Sequence, residues 1–491
     1  MSEFLDGLTG EIILPFDLSY DELRQGYNSA VQKYPFIIVY CFEICDVSNA
    51  VKWARKYSIP IRIRSGGHNY EEYSNGNCTL VIDLSNMKKV KINECDELIY
   101  VQGGATNQDV YEYVSSRGYP FPGGTCPTVG VSGYALGGGW GLSCRHLGLG
   151  CDNLVEIELV NYEGKLIIAN KNCNSDLFWA LQGAGGGNFG VVVNMTFKLT
   201  ETIDKVTLIE IDYLNVCSEE QERFVMLWQN WLEKADNRIT LISRIYNSEE
   251  EGLSMLVRGI FYGNPAAAEK TLKDFFELDN AIYNLEKVSF LEAVKIIGSS
   301  YPDHEKFKSG SRFVLRKFNS NEIKKLANII KERAEGSVYA GLSMYALGGK
   351  VSETDVDNTA FYYRNAKFII WLETVWEENE YANANKGWIK DNFPYLQSIT
   401  TGSYINFPYL ELDNHLDEYF GHHKYELKCI KEKYDPLNVF SFPQAIDASN
   451  KECQPLLYKS TLFKKENNWN TDDNKNHREF RYVSKNRGFL S

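Results

Sequence analysis

Two rhythms of apolar residues divide the chain. As far as about Thr200, short apolar runs alternate with segments whose apolar residues recur every three or four positions. The runs "FIIVYCFE", "IPIRIR", "LVIDLS" and "LIYVQGG" read as strands. Between them, "DVSNAVKWARKY" reads as a helix beginning at Asp46 or Ser48. "TNQDVYEYVSSRG" reads as a helix capped by Thr106 or Asn107 and stopped by Gly118. "LVEIELVNYEGKLIIA" is two strands around a glycine turn, and "SDLFWALQGAGGGNFGVVVNMTFKL" is a short helix, a glycine loop and a strand. Beyond Thr200, "KVTLIEIDYL", "ITLISRIYN", "LSMLVRGIFYG", "SVYAGLSMYALGG" and "AKFIIWLETVW" alternate apolar with polar side chains. Antiparallel strands with one buried face have that pattern. Helical stretches such as "EEQERFVMLWQNWLEKA" and "NPAAAEKTLKDFFEL" lie among them, so this half predicts a sheet backed by helices. The segment "YELKCIKEKYDPLNVFSFPQAI" returns to a helix with a short strand-like closure.

Glycine loops interrupt the first half. "RSGGHN" follows the strand "IPIRIR", and residues 120–153 and 183–192 form two more loops. Glycine reaches positive φ and lets a ligand approach the backbone, and successive N–H groups in such loops bind phosphate. A Rossmann fingerprint needs G-x-G-x-x-G between a first strand and its helix. "GAGGGNFG" matches it only loosely, and its strand follows the loop. Three loops spread over about 130 residues point to a long ligand lying across a domain, and FAD has that length. His68, directly after Gly66 and Gly67, is either a core histidine at the end of a turn or a residue presented to that ligand.

Composition narrows the classes further. At roughly 150 residues per domain, 491 residues make two or three units. A net charge of -13 argues against a nucleic-acid partner. No basic-then-apolar leader and no apolar run of about 18 residues is evident, so no membrane association is expected. Eleven irregularly spaced cysteines without a paired CxxC suit reduced thiols in a cytoplasmic protein and offer no metal signature. The 31 tyrosines either fill cores and surfaces or wall a pocket for a polar organic ligand. The tail after Phe463 is locally basic and reads as a solvated tail or a packing strap.

Five segments carry a resemblance: "RSGGHNYEEYS", "GGTCPTVGVSGYALGGGWGLSCRHLGLGCDNL", "DLFWALQGAGGGNFGVV", "SYINFP" and "YELKCIKEKYDPLNVFSFPQAI". With them the chain resembles the covalent flavoproteins of the vanillyl-alcohol-oxidase (PCMH-type) superfamily, and within it the berberine-bridge-enzyme-like oxidases. The resemblance implies an α+β fold in two parts. Residues 1–204, completed by 411–450, form an FAD-binding domain of PCMH type, and 205–410 a substrate domain with an antiparallel sheet backed by helices. Residues 451–491 are a C-terminal extension.

The resemblance also implies a doubly attached FAD. The histidine of R-S-G-G-H, here His68, joins the flavin 8α-methyl, and the cysteine of G-x-C-P-x-V-G, here Cys126, joins flavin C6. Taken alone, each would read as an ordinary core residue. Cofactor contacts are expected from Arg64, Ser65, Gly66, Gly67, Asn69 and Ser74 around the histidine. Around the cysteine they come from Gly124, Thr125, Val129 and Gly130, continuing through Gly133, Tyr134, Gly137, Gly138, Gly141 and Leu142. Gly190 and Val192 follow from the third loop, and Asn406 and Asn438 from the C-terminal segments.

Oxidising an alcohol needs a base near the reacting hydroxyl. The Y-x-N of "SYINF" matches the family's base, which makes Tyr404 the first candidate, with Asn406 on the same strand face. Glu373 is the second, sharing a strand face with Ile369 and Trp371. Trp371 suits stacking on a sugar ring, and Trp140 stands where relatives often carry a tyrosine near the substrate. Val129, small and three residues beyond Cys126, matches the position that gates dioxygen. The resemblance thus implies an oxidase of a small-molecule alcohol or sugar that passes electrons to dioxygen and releases hydrogen peroxide. A dehydrogenase of the same fold with another acceptor, a flavin-holding binding protein and a noncovalent reductase fed by a nicotinamide cofactor stay open beside it.

Overall fold

The computed structural model describes residues 4–448; the expected extension at 451–491 lies outside the described residues. Three sheets organise the chain. The first holds β1 (Glu11–Ile13), β2 (Ile37–Tyr40), β3 (Ile61–Arg64) and β4 (Leu80–Asp83) in the order β1-β2-β4-β3. β2, β4 and β3 run parallel, with β1 antiparallel on the edge of β2. Helix Ile44–Lys56 makes the crossover and buries Val47, Ala50, Val51 and Ala54. It begins two residues before the expected Asp46, because the Asp46 carboxylate caps it from inside, accepting the N–H groups of Phe42 and Glu43 at 3.0 and 3.1 Å.

The second sheet is antiparallel, with β5 (Val90–Asn93), β6 (Leu98–Gln102), β7 (Leu154–Val160), β8 (Leu166–Asn170) and β9 (Val191–Lys198) in the order β5-β6-β9-β7-β8. Thr106 caps helix Asn107–Val114, and Gly118 at φ 86° ends the turn after it. The long glycine-rich segment connects β6 to β7 and contains only short helices, Val131–Leu136 and Cys144–Leu147.

Seven antiparallel strands form the third sheet. They are β10 (Val206–Tyr213), β11 (Ile239–Ser248), β12 (Gly252–Phe261), β13 (Ile282–Val288), β14 (Phe307–Val314), β15 (Ser337–Ala346) and β16 (Phe368–Trp376), in the order β13-β10-β12-β11-β15-β16-β14. Helices Ser218–Leu232, Ser320–Lys331 and Ala382–Ile399 pack against it. The alternating pattern predicts one buried face, but β16 is buried along its whole length. Helices cover one side, and side chains on the other side wall an internal cavity.

β14 is absent from the sequence reading because "FKSGSRFV" carries no apolar rhythm, yet all eight of its residues are buried. Its charges are neutralised across the fold. Lys308 Nζ lies 2.7 Å from Glu71 and 2.8 Å from Glu411, and Arg312 lies 2.6 Å from Glu418. β13, which is largely exposed, lacks a readable pattern as well. Among the described residues all cysteines are free, and no helix is long and apolar enough to cross a membrane.

Lys308→Met should destabilise the fold by about 3 kcal/mol, because Glu71 is left buried without its cation. Chemical denaturation reads the loss, and adding Glu71→Gln should recover part of it.

Candidate active site

A cavity of about 470 Å³ lies between the glycine-loop segments and the third sheet. Ser65 to Tyr70, Gly124 to Gly130 and Gly185 to Gly190 contribute to one wall. Arg244, Arg258, Tyr345, Trp371 and Glu373 form the opposite wall from β11, β12, β15 and β16. Tyr404 to Pro408 and Phe440 to Phe442 complete the lining.

The loops meet backbone to backbone. A Cβ on Gly66 would run into the Gly130 nitrogen and the Thr128 carbonyl, and one on Gly130 would strike Ser65 and the Gly66 nitrogen. This approach brings His68 and Cys126 to one hydroxyl: His68 Nε2 is 2.8 Å from Thr128 Oγ1, and Cys126 Sγ is 3.5 Å from it. Tyr27 stacks on the imidazole at 4.2 Å and 25°. Burial and nearby His304 push His68 down to about 4, so the ring is neutral at pH 7 and keeps a lone pair. Burial pushes the Cys126 thiol up, against hydrogen bonds from Thr128 and Val129.

Across the cavity, Tyr404 is 2% exposed and its hydroxyl oxygen accepts three N–H groups. They come from the backbone of Gly139 at 3.1 Å, the backbone of Trp140 at 3.0 Å and Asn406 Nδ2 at 3.0 Å. Gly137 has no side chain because Asn406 occupies that space. Burial nevertheless raises the phenol to about 12, with the three donors opposing it. Burial likewise raises Glu373 to about 8; Arg244, 3.9 Å away, opposes the rise and Glu305 adds to it. Glu305 itself is raised to about 7 by burial. Glu373 Oε1 and Trp371 Nε1 are buried without a hydrogen-bond partner among the described residues. The Trp371 ring lies 5.5 Å from both Tyr70 and Phe407. Trp140 is anchored instead, its Nε1 donating to the Ala346 carbonyl at 2.7 Å.

Residues 35–170 match the profile described as "FAD binding domain", and residues 403–447 match "Berberine and berberine like". The uncharacterized FAD-linked oxidoreductase YgaK of Bacillus subtilis (strain 168) is 36% identical over 445 residues, which cover 89% of this chain and 97% of that protein. The chain belongs to the berberine-bridge-enzyme-like family of FAD-linked oxidoreductases. Its fold is shared with Physcomitrella patens BBE-like 1 (25% identity, TM-score 0.84, 91% of this chain and 99% of that one). A chitooligosaccharide oxidase aligns over the same shares at 25% identity and TM-score 0.82.

The cavity of this oxidoreductase fits FAD on its own chemistry. A Cβ at Gly133 would meet nothing within 4 Å, so the backbone there is open to a ligand. Tyr73 OH, Ser74 Oγ and Arg62 Nε are buried at the cavity without hydrogen-bond partners among the described residues, as a polar, phosphate-bearing ligand requires.

Of the expected cofactor residues, Ser65, Gly66, Gly67, His68, Asn69, Ser74, Gly124, Thr125, Cys126, Val129, Gly130, Gly133, Tyr134, Gly190, Val192 and Asn406 line the cavity. Six do not. Arg64 lies buried in an ion pair with Asp83. Gly137 makes room for Asn406, Gly138 (φ 113°) backs onto Phe361, and Gly141 backs onto the Gly123 carbonyl. Leu142 is in the core, and Asn438 sits at φ 49° in a turn closed by its N–H to the Asp435 carbonyl at 2.9 Å.

Tyr27, Arg244 and Glu305 are among the cavity residues that the sequence did not announce, and Thr128, which bonds His68 and approaches Cys126, went unannounced as well. Arg244 left a signal, since it lies two residues from Ile242 on the cavity-facing side of its strand. Glu305 left none.

Gly130→Ala should force the two loops apart, so the purified protein should carry severalfold less FAD by its 450 nm to 280 nm absorbance ratio. Gly387→Ala, whose Cβ meets nothing within 4 Å, should bind FAD as the parent does.

Proposed function

We propose that the enzyme oxidises an alcohol group on a polar small molecule, a carbohydrate hydroxyl above all, and hands the electrons to dioxygen to give hydrogen peroxide. One observation carries this reading. Glu373, with a carboxyl oxygen that has no hydrogen-bond partner among the described residues, and Tyr404 line the same cavity as His68 and Cys126. FAD bound there supplies the acceptor for a hydride from the carbinol carbon.

The chain's residues divide the remaining work. Glu373 takes the hydroxyl proton, because its charge changes near pH 8, within the working range of a general base. Tyr404 keeps its proton at neutral pH, and its three N–H donors hold the oxygen in place to orient the reacting hydroxyl. Trp371 offers a ring face to a sugar and an unpaired N–H to its hydroxyls. The chitooligosaccharide oxidase with the same fold supports the carbohydrate class. His68 and Cys126 would hold the flavin covalently. With Nε2–H donating to Thr128, the lone pair of His68 Nδ1 would be the one free to hold the flavin, while burial strengthens the proton that the Cys126 thiol would have to lose. Val129, half-buried at the cavity beside Cys126, leaves room for dioxygen.

Five measurements test the reading. Denaturing mass spectrometry should find the chain heavier by one FAD. Yellow colour should survive acid precipitation in His68→Ala and in Cys126→Ala but not in the double variant. Log(kcat/KM) should rise with pH and level off above about 8, and Glu373→Gln should remove that limb and lower turnover by about 10²-fold or more. Tyr404→Phe should slow flavin reduction without moving the limb. A screen of mono- and oligosaccharides should release one peroxide per substrate oxidised. Turnover with a dye but no peroxide in air would make the protein a dehydrogenase instead.

A further inference from the structure

Asp357, His422 and His423 converge outside the cavity. His423 is buried at 3% exposure, while His422 and Asp357 are exposed. One carboxylate oxygen, Asp357 Oδ1, lies 3.2 Å from His423 Nε2 and 3.5 Å from His422 Nε2. The three donor atoms lie within 4.8 Å of one another.

A neutral His423 can donate to only one of its two neighbours. Its Nδ1 faces the Ala360 carbonyl at 3.3 Å and its Nε2 faces the Asp357 carboxylate. Both neighbours only accept, and a neutral imidazole has one N–H to give. With the proton on Nδ1, the Nε2 lone pair and a carboxylate lone pair point at the same space, joined there by His422 Nε2. A second proton, making His423 an imidazolium, would satisfy both neighbours, and so would a cation between the three donors.

The spacing favours the cation. Ligands held about 2.0–2.1 Å from a tetrahedral Zn2+ lie about 3.3 Å apart. The two nitrogen-to-oxygen separations, 3.2 and 3.5 Å, are edges of that size. The surroundings hold the donors in place. Trp179 donates its Nε1–H to the Asp357 carbonyl at 2.8 Å, and the Asp355 carboxylate accepts the Asp357 N–H at 3.0 Å. The Tyr362 ring packs edge-on against both imidazoles, at 4.9 and 5.1 Å, and Trp179 packs against His423 at 5.1 Å. The carbonyl on His423 Nδ1 is the outer-shell partner that metal-bound histidines use to fix their tautomer.

We infer that Asp357, His422 and His423 form a metal site for Zn2+ or a similar transition-metal ion. Two imidazoles and one carboxylate suit that class better than Ca2+ or Mg2+, and three protein ligands leave a position for water. The site ties the short turn Val356–Asn358, beyond β15, to the residues that open helix Lys424–Tyr434. Its role is a clasp between segments distant in sequence, separate from the flavin chemistry.

The flavin-loaded full-length enzyme, treated with EDTA and desalted, should be titrated with Zn2+ by calorimetry. The parent should bind one Zn2+ that Asp357→Asn and His422→Gln each weaken about tenfold or more. These two side chains are exposed, so unchanged FAD content reports an intact fold. Co2+ should give visible bands in the parent that both variants lack, and Zn2+ should raise the thermal midpoint of the parent alone. Absence of Zn2+ binding to the parent, or equal binding to both variants, overturns the site. Nitrogen NMR finding His423 doubly protonated in the EDTA-treated protein, with no change on adding Zn2+, overturns it too and assigns an imidazolium–carboxylate pair.

Discussion

The cavity depends on a contact between two stretches of bare backbone. Gly66 and Gly130 lie so close that a methyl group on either would collide with the other's loop. Side-chain packing tolerates small errors by rotamer change, but backbone-on-backbone contact does not. The contact holds the strand-end loop that carries His68 against the loop that carries Cys126, and Thr128 lies within hydrogen-bonding reach of both. The same economy of space recurs at Gly137, where a missing side chain admits Asn406 and through it the hydroxyl of Tyr404.

Burial dominates the electrostatics of the cavity. It drives His68 towards its neutral form and holds Glu305 and Glu373 nearer neutrality than a surface carboxylate would be. Arg244 offsets the rise only in part, because it is 3.9 Å from Glu373 and shares its donors with Ser343. Elsewhere the fold neutralises buried charge directly, as Lys308 does with Glu71 and Glu411. Atoms left without a hydrogen bond at the cavity, such as Glu373 Oε1 and Trp371 Nε1, differ from those structural ions by belonging to residues that line space a ligand can occupy.

Much of the architecture was legible in local chemistry. Thr106 and Gly118 bound their helix turn as capping rules require, and strand alternation beyond Thr200 marked the large sheet. The glycine loops and the histidine and cysteine they carry stood out because glycine runs of that kind have few other uses. β14 did not, since a strand of lysine, serine, glycine and arginine becomes buried only once partners from elsewhere cancel its charge. Glu305 and Tyr27 were equally silent: nothing near either residue in the chain announces that it will face the cavity.

The sequence by itself determined what short-range forces decide: most element types, the helix cap, and the glycine loops with the histidine and cysteine they carry. Only the tertiary structure decided which of these act together. The gathering of three N–H donors on Tyr404, the depressed basicity of His68 and the opposing pulls of Arg244 and Glu305 on Glu373 all join residues far apart in the chain. Desolvation and Coulomb forces act through space, so their strength at any residue is set by the assembled fold and not by its neighbours along the backbone.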